Sequence, residues 1–200
     1  MVVRPSSFLL VALAACARSE PPLAADSLLS RSVVLAAIDE LAAEPPGYVE
    51  ARIGGVHATA HGDVVFVEAK LDDRDVVLPV FVGGTEALTI KLRLDGKEYA
   101  RPLTHDLFGA TLEKLGARPL KVQIDSLVGS TYVGSVFVRQ STRAFELDAR
   151  PSDAIAIALG SGVPIYVSRA LLEAQGVPKR DLDLANPDRN VRRPKDPIAL

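Results

Sequence analysis

The sequence predicts an α+β domain, a mixed β-sheet domain with helices packed on its strands, and three observations support this prediction. Stretches rich in valine come in pairs about short polar turns, as the strands of hairpins do. Two such groups are each followed by an apolar segment that begins with helix-start residues. The hairpin-plus-helix pattern therefore occurs twice, as a weak internal repeat. Two related halves of this kind would pack around one core.

The composition is that of a globular protein with an acidic balance. The chain has 200 residues, of which 48% are hydrophobic and 5% are aromatic, and its formal net charge is −2. This length is enough for one packed domain with extensions. A broad basic surface for nucleic acid is not expected, so any nucleic-acid binding is predicted to be local.

Residues 1–15 are predicted to be a lipoprotein signal peptide. Arg4 precedes an apolar run that is too short to span a bilayer, and Leu13-Ala14-Ala15-Cys16 resembles a bacterial lipobox. The resemblance implies that Cys16, the only cysteine, carries a lipid that holds the protein on a membrane. Because Ala17 follows instead of aspartate, we expect a bacterial cell envelope protein, with the outer membrane favoured. The alternative is a frayed helix with a chance cysteine.

Residues 16–46 are predicted to form a tether and an N-terminal helix. Apolar residues recur at three- and four-residue spacing over 27–43, until Pro45-Pro46-Gly47 ends the pattern. This helix could dock on the domain, contact a partner or lie on a membrane surface. Its polar face is acidic, which favours the first two alternatives.

The predicted domain covers 47–177 and contains most of the regular structure. Pro79 cannot donate to a β-ladder, so its strand should lie at an edge or carry a bulge. The prolines and charges after 177 predict a disordered tail over 178–200. The strands are predicted at 48–53, 56–60, 64–71, 76–82, 121–125, 132–139, 143–148 and 165–167. The helices are predicted at 104–115, at 152–159 and after Ser168, up to Gly176.

The segment 88–94 is ambiguous. Leucine and isoleucine alternate with polar residues there, which by period predicts a strand. Thr85 could instead open a helix. We favour the helix because the second copy of the repeat, at 151–159, predicts one more clearly.

Two predicted helix starts contain the best concentration of side chains that could bind a ligand or take part in catalysis. Arg101 begins Arg-Pro-Leu-Thr-His-Asp, and Arg150 begins Arg-Pro-Ser-Asp. In each, proline stiffens the chain before a hydroxyl residue that can cap a helix. Asp106 and Asp153 should therefore fall in the first turn, where backbone N–H groups are unpaired. His105 adds a group that titrates near neutral pH.

Three blocks, at 78–87, 101–107 and 148–156, together resemble the bifunctional nuclease domain family in order and spacing. The resemblance implies a compact domain of two related halves that often forms a homo-oligomer, and plant members of the family are reported to cut DNA and RNA. Relatives usually have a proline-rich acidic segment where this chain has residues 96–100.

Two interpretations of the residues at the helix starts remain open. A nuclease, which the resemblance implies, would use a carboxylate cluster to hold a divalent metal, Mg²⁺ or Mn²⁺, with a histidine as ligand or base and arginines as a phosphate clamp. Alternatively, the carboxylates stabilise helix starts or pair with arginine, and the histidine makes a structural hydrogen bond. The candidates are Glu86, Asp106 and Asp153 for the metal, His105 and Asp106 for catalysis, and Arg101 and Arg150 for the clamp.

The family resemblance implies hydrolysis of phosphodiester bonds of DNA or RNA with a metal ion, and the lipobox-like leader predicts that the protein is exported and lipid-anchored, although members of the family commonly have no export signal. The alternative is a non-catalytic envelope module that binds a small anionic ligand or a protein partner.

Overall fold

The fold is described by a computed structural model for residues 41–97 and 99–183. The predicted signal peptide, Cys16, most of the predicted N-terminal helix and residues 184–200 lie outside the described residues. The strands are β1 (Tyr48–Thr59), β2 (Gly62–Leu71), β3 (Arg74–Val82), β4 (Ala117–Val128), β5 (Thr131–Gln140), β6 (Arg143–Ala149), β7 (Ile165–Ser168) and β8 (Val177–Pro178). The helices are α1 (Gly84–Leu94), α2 (Thr104–Lys114), α3 (Pro151–Ser161) and α4 (Arg169–Gln175).

All eight strands form one mixed sheet in the order β6-β5-β4-β7-β1-β2-β3-β8. The strands β1, β2 and β3 make one antiparallel meander, and β4, β5 and β6 make another. Between the two meanders lies β7, which is antiparallel to β1 and parallel to β4. A helix follows each meander, α1 after β3 and α3 after β6. The α+β class and the two related halves are therefore confirmed.

The core lies between the sheet and the helices. The largest buried cluster joins alternate residues of the central strands, such as Val65, Leu78 and Ile124, to Ile155 of α3. The helix α3 packs against α1, α2 and several strands. This position explains why α3 is apolar on nearly all sides, as its sequence predicts.

Segment 84–94 is a helix, as favoured, although its alternating pattern suggested a strand. Its buried residues are Ala87, Thr89 and Ile90, and Ala87 and Ile90 have the three-residue spacing of one helix face. The strand β1 differs from the prediction because it continues through Gly54 and Gly55 instead of breaking there. Its register shifts between Ile53 and Gly55, so the glycines allow a β-bulge within one strand.

The edge predicted from Pro79 is present. The short strand β8 pairs only with Val76 and Val77, so β8 does not cover the part of β3 that contains Pro79. Beyond β8, residues Lys179–Asp181 form one 3₁₀ turn. Regular structure therefore extends past the domain end predicted at Val177. None of the described helices has the length and hydropathy needed to cross a membrane.

Candidate active site at three helix starts

Three helices bring the candidate residues together. Glu86 lies in the first turn of α1, Asp106 in the first turn of α2 and Asp153 in the first turn of α3. Because α3 packs against both α1 and α2, residues that are far apart in sequence meet at these starts. The charged side chains form two neighbouring sets, which we call the Arg150 group and the Asp106 group.

The Arg150 group consists of Glu86, His105, Arg150 and Asp153. The guanidinium of Arg150 donates from Nε to Asp153 Oδ2 at 2.7 Å and from Nη2 to Asp153 Oδ1 at 3.1 Å. The same Nη2 also bonds Glu86 Oε1. His105 Nε2 lies 2.9 Å from Asp153 Oδ1. One arginine thus joins the starts of α1 and α3, and His105 connects α2 to them.

The charge of the Arg150 group changes the proton affinity of its members. Burial raises the pKa of the Asp153 carboxyl, but hydrogen bonds from Arg150 and His105 outweigh it, so this pKa lies below its ordinary value. The hydrogen bond to Asp153 is the main reason that the pKa of Arg150 is raised. Asp153 is therefore a carboxylate and Arg150 a cation at neutral pH. The side chain of Arg150 is 65% exposed, so its outer face is accessible to a ligand.

His105 makes the structural hydrogen bond that was one of its two predicted roles. Its side chain is 10% exposed, and its Nδ1 is buried without a hydrogen-bond partner among the described residues. When Nε2 donates to Asp153, Nδ1 carries the free lone pair. A catalytic role for His105 stays a prediction, and it requires that water or substrate reach this nitrogen.

The Asp106 group consists of Asp106, Arg93 and the start of α2. Asp106 Oδ1 pairs with Arg93 Nη2, and Asp106 Oδ2 accepts a 2.8 Å bond from the backbone N–H of Leu103. The N-terminus of α2 is thus capped by a carboxylate from within the helix. The predicted hydroxyl caps are wrong, because Thr104 is the first residue of α2 and Ser152 lies within α3.

A cleft of about 500 Å³ opens beside the Asp106 group. Its lining includes Arg93, Asp106, Lys97 and Tyr99, and Leu159 of α3 forms part of its apolar wall. The Asp106 side chain is 39% exposed, more than Asp153 or Glu86. Of the three candidate carboxylates, Asp106 is therefore the one most accessible to water.

Arg101 stands apart from both groups. It is exposed, and it forms no ion pair or hydrogen bond with another residue of the described chain. Its cation is available to a ligand, but the structure does not join it to Asp106 or Asp153.

The carboxylates do not form a metal site in this conformation. Glu86 and Asp153 both contact Arg150, and Asp106 contacts Arg93 and a backbone N–H. Within 41–97 and 99–183, no three histidine, cysteine, aspartate or glutamate side chains are grouped so that they could hold a metal ion. These donors, as they stand, are satisfied by protein cations, so metal dependence stays a prediction.

Sequence reasoning missed Arg93. It lies seven residues after Glu86 in α1, so both side chains are on the same helix face. In a helix, that spacing predicts that Arg93 lies on the side of the site. The prediction requires that segment 88–94 is a helix, which its sequence left ambiguous. Gly160 of α3 is part of the same arrangement, since a Cβ there would lie 1.9 Å from Arg93 Nη1.

Comparisons with known proteins identify similar sequences. Residues 65–180 match the family model described as the bifunctional nuclease domain. An uncharacterised protein of Mycobacterium tuberculosis is 36% identical over 129 residues, which cover 64% of this chain and 76% of that protein. Bifunctional nuclease 2 of Oryza sativa subsp. japonica is 28% identical over 109 residues, which cover 53% of this chain and 34% of the plant protein. Bifunctional nuclease 1 of Arabidopsis thaliana is 27% identical over a region with the same shares of the two chains.

Proposed function

Because the chain belongs to the bifunctional nuclease domain family, we propose that it hydrolyses phosphodiester bonds of DNA or RNA at the Arg150 and Asp106 groups. The family match supports this proposal, since the matched residues 65–180 include every candidate catalytic and metal residue. The names of the plant relatives state the nuclease activity for those proteins.

In this proposal the arginines bind the phosphate. Arg150 uses Nε and Nη2 on Asp153 and Glu86, which hold it in position, so its Nη1 is the nitrogen that can donate to a phosphate from the exposed side. Arg101 adds a second cation, which has no partner among residues 41–97 and 99–183. Asp106 is the accessible carboxylate, and His105 is the proposed general base.

The proposed activity includes a requirement for Mg²⁺ or Mn²⁺. This part rests on the general chemistry of nucleases, in which a divalent cation activates water and offsets the charge on the phosphate. The test is cleavage of plasmid DNA and single-stranded RNA by the full-length chain in Mg²⁺, in Mn²⁺ and in EDTA. We expect cleavage with metal and none in EDTA. Cleavage in EDTA would show that the reaction needs no metal. Absence of cleavage under every condition would refute the proposed nuclease activity.

A second candidate function is a non-catalytic module of the envelope that binds a small anionic ligand or a protein partner. One observation favours it, namely that all three candidate carboxylates are paired with arginine instead of facing one another across an open site. A folded protein that binds inorganic phosphate without cleaving nucleic acid would support this function. Calorimetric titration with phosphate, beside an Arg150→Ala variant, measures that binding.

We further propose that the protein is exported and held by a lipid on Cys16, with the outer membrane as its destination, and that it forms a homo-oligomer. The lipobox-like tetrapeptide before Cys16 supports the anchor. Fractionation of cells that express the full chain tests it, because Cys16→Ser should move the protein out of the membrane fraction. Light scattering of the purified protein measures the oligomeric state.

A further inference from the structure

We propose that the cleft beside Asp106 binds an unpaired nucleotide of a single strand, with the base stacked on Tyr99 and a phosphate near Lys97. This inference rests on the proposed function and narrows its substrate to single-stranded nucleic acid. The cleft volume of about 500 Å³ lies within the usual range for small-molecule sites, about 300–1,000 Å³.

The walls of the cleft differ in character. Leu92, Leu103 and Leu159 provide an apolar surface, whereas Arg93 and Lys97 provide cations. A wholly apolar ligand would leave the charged wall unmatched, and an inorganic anion would leave the leucines unmatched. A nucleotide combines a flat, largely apolar base with an anionic phosphate, so it matches both walls.

Tyr99 supplies the aromatic surface. It lies in the connection between α1 and α2, lines the cleft and is 57% exposed. An exposed aromatic ring at a cleft wall can accept a base of any sequence, because every base has a π-face. The location matters because the same cleft is lined by Asp106, the most accessible of the candidate carboxylates.

Of the two cations that line the cleft, Lys97 is the one available to a phosphate. Arg93 neutralises Asp106 through Nη2, and its Nε–H is buried. Among the described residues, Lys97 Nζ bonds the exposed carboxylate of Asp95, at 3.2 Å. Exposed pairs of this kind contribute little, so Lys97 can exchange Asp95 for a phosphate. After Arg93 and Asp106 cancel, Lys97 gives the described part of the lining a positive charge.

The geometry favours a single strand over a duplex. A base inside a duplex is stacked and paired, so it cannot enter a cleft unless it is first unstacked. Duplex binding also depends on a broad basic surface, and the net charge of the chain is −2. A local site with one aromatic ring and a lysine that can exchange an exposed aspartate for a phosphate therefore suits an unpaired nucleotide.

The test measures binding separately from cleavage. Fluorescence anisotropy of a labelled single-stranded DNA of about 12 nucleotides is recorded with the full-length chain, in EDTA and in Ca²⁺. The same strand in a duplex and free deoxynucleoside monophosphate serve as competitors. The variants are Tyr99→Ala, Tyr99→Phe and Lys97→Ala. Phe145→Ala and Lys114→Ala are matched controls, since they remove an exposed aromatic ring and a lysine outside the cleft lining.

We expect Tyr99→Ala to weaken single-strand binding about tenfold, while Tyr99→Phe and Phe145→Ala bind as the wild type does. Lys97→Ala should weaken binding more than Lys114→Ala, and duplex should compete poorly. If the monophosphate competes as well as the strand, the ligand is a free nucleotide and the single-strand assignment is wrong. Unchanged affinity of Tyr99→Ala, or no binding by the wild type, would overturn the inference.

These outcomes are separate from the proposed nuclease activity. Binding that depends on Tyr99 without cleavage would refute the nuclease and keep the nucleotide site. Cleavage that is unaffected by Tyr99→Ala, with unchanged affinity, would keep the nuclease and refute this site.

Discussion

At the scale of single residues, Arg150 determines the arrangement of the Arg150 group. Its guanidinium separates the carboxylates of Glu86 and Asp153, which come from different helices. Without that cation the two negative charges would face each other at partly buried positions, which is costly. Arg150 therefore stabilises the meeting of α1 and α3, and its exposed face remains free to bind a ligand.

The low pKa of Asp153 predicts how stability depends on pH. Its folded-state pKa lies below the ordinary value of 3.8, so the unfolded chain binds more protons in the interval just below that value. The stabilisation is fully present above about pH 4 and is lost as pH falls through the folded pKa. Asp153→Asn removes this contribution, so we expect the variant to be less stable at neutral pH and to show a flatter decline on acidification.

Denaturant unfolding at several pH values measures this dependence. Asp73→Asn, which removes a carboxylate in the turn between β2 and β3, is the control. Stability curves for Asp153→Asn and the wild type that run parallel below about pH 4 would contradict the prediction.

The site residues differ in how far the sequence predicts them. The positions of Asp106 and Asp153 in first turns follow from local signals, the Arg-Pro pairs and the helix patterns. Which cation meets which carboxylate depends instead on how α1 and α2 pack against α3. The Arg93 pair with Asp106 therefore could not be derived from local sequence.

At the scale of secondary structure elements, β5 can lie close to its neighbours because residue 134 is glycine. A Cβ at Gly134 would lie 2.7 Å from the backbone oxygen of Gln123 in β4, and backbone cannot move aside cheaply. We expect Gly134→Ala to lower the free energy of unfolding by about 1–3 kcal/mol.

The matched control for that substitution is Gly109→Ala in α2. No atom lies within 4 Å of the added Cβ at Gly109, and alanine favours helix over glycine by roughly 0.5–1 kcal/mol. Gly109→Ala should therefore stabilise the protein. Urea unfolding of both variants tests the pair, and an unchanged midpoint for Gly134→Ala would show that β5 can relax.

The two meanders are linked by a hydrogen bond that passes across β7. Tyr48 in β1 donates to Asp125 Oδ1 in β4 at 2.9 Å. The register of β4 shifts between Ile124 and Ser126, and the resulting bulge contains Asp125. Burial and the bond to Asp125 raise the pKa of Tyr48 to about 12.

We expect Tyr48→Phe to lower the free energy of unfolding by about 1 kcal/mol, because one partly buried hydrogen bond is lost. In an absorbance titration at alkaline pH, the variant should also lose a tyrosine whose pKa lies well above the ordinary value of 10. Tyr99→Phe, an exposed tyrosine, is the control for both measurements. A stability equal to that of the wild type would show that this bond does not contribute to joining the halves.

Element prediction succeeds where the local pattern and the packing agree. The hairpins and α3 are of this kind, because valine-rich strands and an apolar helix are both buried in the same core. Segment 88–94 shows the limit. Its alternation fits a strand, but Ala87 and Ile90, three residues apart, are both buried on a helix that packs against α3 and the sheet.

At the scale of the whole molecule, the repeat predicts two halves but not their order in the sheet. Each meander and its helix are local in sequence, so paired valine-rich stretches are sufficient to predict them. The insertion of β7 between β1 and β4 is a pairing of distant segments, since Tyr48 lies opposite Ser168. No local pattern encodes that pairing, although the candidate site depends on the halves that it joins.

Comparing nucleic-acid cleavage by the wild type and by a His105→Ala/Asp106→Ala double variant decides whether the Asp106 group and His105 carry out hydrolysis. With Mg²⁺ or Mn²⁺ present, we predict cleavage by the wild type and a loss of at least about a hundredfold in the variant. Asp106→Asn accompanies them, because its amide oxygen can still accept the Leu103 N–H that caps α2. Circular dichroism confirms that each variant is folded. Equal cleavage by the double variant, or no cleavage by the folded wild type, would contradict the account.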